Sequence, residues 1–321
     1  MKKFLKVTSC ILLISILFSC GSVANKQNTS NINPSIVANN QQTVALSAEN
    51  SESAPQASDK LYTYDEINKK YRALKLKYSK KREDFSSDEV FANFRNVKVG
   101  NIKEGILYRG ASPIDNSMGR AKYADKLIES VGVKFDIDLN DNDDKIKKHF
   151  SKKDFASNYF KSLYESGKTI CSHMSTNYRE QKYHERVVKA MIAMSQNEGP
   201  YYIHCLEGKN RTGFVLAVIE GLAGASYEEM VRDLMITFEN YFGITEETDK
   251  EKYDIIKARY IDSMLRYIAD GDPWTGNGTI ELRDLDWVNV MGRYLERNGM
   301  SEKDIENWYK NVTSDNYSDP G

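Results

Sequence analysis

The stretch YYIHCLEGKNRTGF, residues 201–214, sets His204, Cys205, Gly208, Arg211 and Thr212 around one short polar loop between two apolar flanks. The flank before the loop has strand character and the flank after it has helix character. A loop at such a junction points several backbone N–H groups at one spot, and the helix dipole adds positive potential there. That environment binds a phosphate, and it also stabilises a thiolate. Helix N-termini and nearby cations lower a cysteine pKa from about 8.5 to roughly 3.5–7.5. Arg211 can fold back and grip two phosphate oxygens through its planar fork. Gly208 permits the turn that brings the amides of Leu206, Glu207, Gly208, Lys209 and Asn210 inward. The Thr212 hydroxyl is placed to bond the sulfur and help it leave a phosphorylated intermediate.

The same residues resemble the signature loop of the cysteine-dependent protein tyrosine phosphatases, His-Cys-x5-Arg-Ser/Thr. The extended form HCLEGKNRTGF is most similar to a bacterial branch with tyrosine and phosphoinositide phosphatase members, whose loop reads HCxxGKDRTG. Upstream, NFRNVKVGNIKEGILYRGASPID resembles that branch's N-terminal motif around Tyr108, Arg109 and Ser112. The resemblance spans roughly residues 90–260. It implies that Cys205 attacks phosphorus, that Arg211 and the loop amides stabilise the transferring phosphoryl group, and that His204 tunes the thiol from behind. Lys209 then adds charge at the rim. No cofactor and no metal are implied, and the four histidines, 149, 173, 184 and 204, are scattered along the chain.

Phosphate-ester cleavage also needs a proton for the leaving oxygen. Most members of this class take it from an aspartate on a separate upstream loop; the equivalent stretch, CSHMSTNYREQ at 171–181, has none. In the bacterial branch the aspartate beside the signature arginine has been given that role, and Asn210 stands there instead. An amide is no useful acid near neutral pH. Glu207 inside the loop, Asp141, Asp143 or Asp144 after a neighbouring strand, and Glu180 or His173 in the upstream stretch are the candidates. An enzyme without a dedicated acid favours phenols over alkyl alcohols as leaving groups, hence phosphotyrosine. An inositol-phosphate substrate, suggested by Lys209 and Arg211, and a catalytically impaired phosphate binder, suggested by Asn210, are the alternatives.

The elements that must position this loop read as alternating strands and helices. Helical spacing covers 61–82, then short β-type runs cover NVKVGNIKEGILYRG. A helix follows over GRAKYADKLIESVG, and a strand over 133–139 discharges into an acidic loop, NDNDD. That loop lacks the spacing of a calcium loop. A short strand at Thr169 and Ile170, a long helix ending at Gly199, and a buried-type strand PYYIHC lead into the loop itself. The order predicts an α/β fold with a central, mostly parallel sheet flanked by helices. Residues 226–321 read as mainly helical, interrupted by DGDPWTGNGTIELRD as a loop or small hairpin, and 61–321 forms one domain.

The chain start differs in kind. A basic MKKFLK precedes an apolar run of signal-peptide length, and LFSCG at 17–21 resembles the lipobox of bacterial lipoproteins. This implies a signal peptide over 1–19 and lipid on Cys20; a plain secretory signal or an uncleaved anchor are the other readings. All three export the body. Residues 20–60 are rich in Asn, Gln, Ser and Ala and read as a disordered tether. The expected setting is therefore the extracytoplasmic face of a bacterial membrane, with phosphorylated proteins or small phosphomonoesters as substrates. With 45 basic and 46 acidic side chains, the chain lacks the basic excess of a nucleic-acid binder. Of four cysteines, only Cys171 and Cys205 stay in the folded body, so no disulfide scaffold is expected. A reversible Cys171–Cys205 disulfide would require the two strands to be neighbours.

Overall fold

The computed structural model describes residues 63–270 and 281–314. Five strands form one sheet in the order β1-β2-β5-β3-β4: β1 Arg95–Asn96, β2 Leu107–Ala111, β3 Phe135–Asp138, β4 Thr169–Cys171 and β5 Tyr201–Cys205. Only the β1–β2 pair is antiparallel. The expected mostly parallel α/β sheet is what the chain builds.

Strand β5 lies in the middle because every one of its residues is buried, which requires cover on both faces. Period-two alternation then sorts the faces. Tyr201, Ile203 and Cys205 join Phe135 and Ile137 in the larger core. Tyr202 and His204 stand beside Asp136 and Asp138 of β3, in register, on the other face. That face is covered by α3 (Ala121–Ser130) and α5 (Asn158–Glu165), through Ala124, Ile128 and Phe160.

The remaining helices are α1 Tyr64–Ala73, α2 Asp88–Ala92, α4 Asp143–Phe150, α6 Gln181–Gln196, α7 Asn210–Leu222, α8 Tyr227–Phe242, α9 Lys250–Ile256, α10 Ser263–Asp270, α11 Trp287–Arg297 and α12 Glu302–Val312. Helix α7 runs under the sheet with every residue from Thr212 to Leu222 buried. Helix α11 packs on α7 and α12 on α6, so the C-terminal helices complete the larger core. No helix among the described residues is long and apolar enough to cross a membrane.

Three expectations change. The helix expected over 61–82 stops at Ala73: Thr63 opens it with a capping box, and Lys75 turns the chain at φ 47°. The following segment runs extended, with Tyr78 stacked on Tyr241 and the Ser79 carbonyl accepting from Arg120. The acidic NDNDD stretch is a helix start, since the Asn142 side chain accepts from the Lys145 amide and Asp143 and Asp144 sit in the first turn of α4. Helix α5 was not legible. The signal peptide, the tether with Cys20, and most of the expected loop or hairpin over 270–284 lie outside the described residues; Leu282–Asp284 form a 3₁₀ turn.

Candidate active site

Strand β5 ends on Cys205 and α7 begins at Asn210, so residues 206–209 form the loop between them. Gly208 turns it at φ +64°, where a Cβ would lie 2.3 Å from the Gly110 carbonyl oxygen of β2. Any larger residue therefore meets both an unfavourable backbone region and a backbone clash.

The loop's carbonyls are taken from behind. The Arg109 guanidinium donates to the Gly208 oxygen at 2.9 Å, and the Asn93 amide donates to the same oxygen at 3.1 Å. The Tyr241 hydroxyl donates to the Glu207 oxygen at 2.6 Å. Carbonyls fixed outward leave the opposing N–H groups for the concave side, an arrangement that suits an anion.

Arg109 is itself buried and paired with Asp233 at 2.8 Å, and Arg95 reaches the other carboxylate oxygen at 2.9 Å. Burial draws the Arg109 guanidinium down to about 10, aided by the charge of Arg95 and opposed by Asp233. Burial acts to raise Asp233, but the charges of Arg95 and Arg109 hold it well below the usual carboxylate range. Glu220, wholly buried beside them, is pushed far up by burial and the Asp233 charge. Asn93, Thr237, Tyr241, Asp233 and Glu220 were not found from the sequence. Asp233, Thr237 and Tyr241 are spaced by four along α8, a polar stripe on an otherwise apolar helix face that was available as a signal.

Cys205 is 3% exposed. Burial acts to raise its thiol, but the Arg211 charge, the hydroxyl and amide of Thr212, and the Glu207 amide outweigh it and bring the pKa down to about 7. The buried Thr212 hydroxyl has no other hydrogen-bond partner. Arg211 donates to the Met174 carbonyl at 3.3 Å, which docks the 172–180 loop on the site. Behind the thiol, His204 lies 3.3 Å from Asp136, both fully buried. Burial acts to lower His204, yet the charge of Asp136, then of Asp138, raises it to about 9.

The remaining sequence candidates separate in space. Asp141 is 1% exposed, with one oxygen accepting from the Asn140 amide and the other turned toward His149 on α4. Asp143 accepts from the Tyr164 hydroxyl, and Asp144 is exposed in the first turn of α4. Glu180 accepts from Ser175 and Asn177 within its own loop. Glu207 pairs with Lys209 at 3.3 Å, and Lys209 lies over the rings of Tyr78 and Phe242. His173 adjoins Met174, is exposed, and holds φ +46°. Its Nδ1 lies 3.2 Å from the Asn140 carbonyl oxygen, which can only accept, so Nδ1 carries a proton. Asn210 is exposed at the first position of α7. Cys171 lies on β4, separated from β5 by β3, so the condition set for a Cys171–Cys205 disulfide is not met; both thiols are free.

Residues 90–314 match the family model described as "Tyrosine phosphatase family". The match covers most of the chain and takes in α11 and α12, beyond the span suggested by motifs alone. The chain belongs to that family. No curated protein matches it.

Proposed function

We propose that this chain is a cysteine-dependent phosphomonoester hydrolase whose preferred substrates are aryl phosphates of the phosphotyrosine type. The observation that carries this is the buried Cys205 thiol at the end of β5, directly before a loop whose carbonyls are tied outward; Arg211 and Thr212 draw that thiol down toward neutral pH.

The Cys205 thiolate attacks phosphorus in line, and the S–P bond forms as the P–O bond to the leaving group breaks. Arg211 and the amides of residues 206–210 stabilise the equatorial oxygens. The leaving oxygen takes a proton from Nε2 of His173, which enters the step protonated on both nitrogens; His173 is the candidate beside the Met174 carbonyl that receives Arg211. Water then attacks the thiophosphate, His173 takes a proton from it, and the sulfur leaves as thiolate toward Thr212. His204, protonated between Asp136 and the loop, acts as a positioning residue.

A second reading, a phosphate binder with impaired turnover, draws on Asn210, which supplies no proton. Lipid on Cys20 and export to an extracytoplasmic membrane face complete the proposal, on the strength of the LFSCG motif. Turnover of an aryl phosphate, a phosphotyrosyl peptide and inositol phosphates by the full chain, beside Cys205→Ser, tests the reading. Aryl turnover lost in the serine variant supports it; binding without turnover in the unaltered chain supports the binder.

A further inference from the structure

Asp115, Asp141 and His149 converge beside the active site but take no part in the chemistry above. Asp115 follows β2, Asp141 follows β3, and His149 lies in the last turn of α4. One ligand atom from each falls within 4.8 Å of the others. His149 Nε2 is 4.0 Å from Asp115 Oδ2 and 3.9 Å from Asp141 Oδ2. Those separations are too long for N–H···O hydrogen bonds, which end near 3.2 Å. They are close to the edges of a coordination shell, since ligands about 2.1–2.3 Å from one ion at tetrahedral angles lie about 3.4–3.8 Å apart.

A second observation points into the same gap. Asp141 is 1% exposed, and its Oδ2, the oxygen facing His149, has no hydrogen-bond partner. A buried carboxylate oxygen left without a donor is costly. A cavity of about 30 Å³ opens beside His149, lined also by Asn116, Asp154 and Ser157, with room for about one water as a further ligand.

We propose that Asp115, Asp141 and His149 bind one divalent transition-metal ion of the Mn²⁺ or Zn²⁺ class. Two carboxylates and one imidazole match the mixed oxygen and nitrogen preference of those ions. The ion would tie together the two loops that flank the phosphate loop: Ser112 donates to the Leu206 carbonyl at 3.3 Å, and Leu139 to the His204 carbonyl at 2.9 Å. His149 Nδ1 now faces the Lys152 ammonium at 2.9 Å, which leaves the imidazole proton on Nε2. Metal binding at Nε2 requires exposed Lys152 to swing aside and the proton to move to Nδ1. Lys152 therefore opposes the ion.

Mn²⁺ binding to the chelator-treated full chain, followed by electron paramagnetic resonance, tests the site; manganese avoids the thiol. We expect one ion per chain with Kd below about 100 μM, and a thermal midpoint raised by about 2 °C or more in its excess. Asp115→Asn and His149→Gln each weaken binding at least tenfold, Lys152→Ala tightens it, and exposed Asp144→Asn leaves it unchanged. Zn²⁺ added to Cys205→Ser gives the same ranking. No binding up to about 1 mM Mn²⁺, or binding indifferent to Asp115 and His149, overturns the proposal and assigns the gap to water. Neither result bears on the phosphatase reading.

Discussion

The Arg109 guanidinium reaches the Gly208 carbonyl at 2.9 Å and the Asp233 carboxylate at 2.8 Å, so one buried cation ties the 206–209 loop to helix α8. Lysine cannot span both partners, because its ammonium lacks the planar fork. Arg109→Lys should lower kcat/KM by roughly 10–100-fold, since small misplacements of reacting groups cost about that much. It should also destabilise the fold by about 3 kcal/mol, the scale for breaking a buried pair. Urea denaturation and steady-state kinetics measure the two losses; a variant with wild-type turnover would mean that the loop holds its shape without Arg109.

The thiol should titrate near neutrality. Alkylation of Cys205 by iodoacetamide depends on the thiolate and is free of substrate ionisation. Its rate should rise with pH to a plateau with a midpoint of about 7. Thr212→Val removes a hydroxyl that supports the thiolate and should move the midpoint upward. A midpoint unchanged in that variant would remove Thr212 from the account.

His204 should make stability pH-dependent on the alkaline side. Its pKa is raised from 6.5 to about 9 in the fold, so the folded state holds the proton more tightly than the unfolded chain. The contribution is complete below about 6.5 and is lost as pH rises through about 9. At about 1.4 kcal/mol per pH unit, the loss is on the order of 3 kcal/mol. Asp136→Asn removes the largest charge that raises His204 and should flatten the slope of unfolding free energy between those pH values. An unchanged slope in that variant would place the dependence elsewhere.

His173→Asn separates proton donation from loop shape. Asparagine tolerates the left-handed φ of +46° and can still donate to the Asn140 carbonyl, but it has no acidic proton. Turnover of p-nitrophenyl phosphate should fall by less than about 3-fold, and that of an alkyl phosphate by about 10²-fold or more. Equal losses on both substrates would assign His173 a purely structural role.

Most of the sheet was legible because short runs of strand-forming residues and the strand–loop–helix order leave their mark locally. FDID and YYIHC read as buried strands even though they carry Asp136, Asp138 and His204. The elements that were missed depend on single capping groups or on tertiary contact. Asn142 turns an acidic run into the start of α4, and the 74–81 segment is held extended by Tyr241 and Arg120 rather than by its own pattern. At the site, Cys205, Gly208, Arg211 and Thr212 stood together in the chain. Asn93, Asp233 and Tyr241 lie far from the loop in sequence, and only the fold shows that Asn93 and Tyr241 hold its carbonyls while Asp233 holds Arg109. The Asp115–Asp141–His149 group escaped for the same reason, since three separate elements supply it.

The account rests on Cys205 as the nucleophile, and rapid acid quench of the full chain turning over ³²P-labelled aryl phosphate tests that most directly. The account predicts label on the peptide containing Cys205, within one turnover, and neither label nor turnover in Cys205→Ser. Hydrolysis that persists in the serine variant, or label found on another residue, would contradict it.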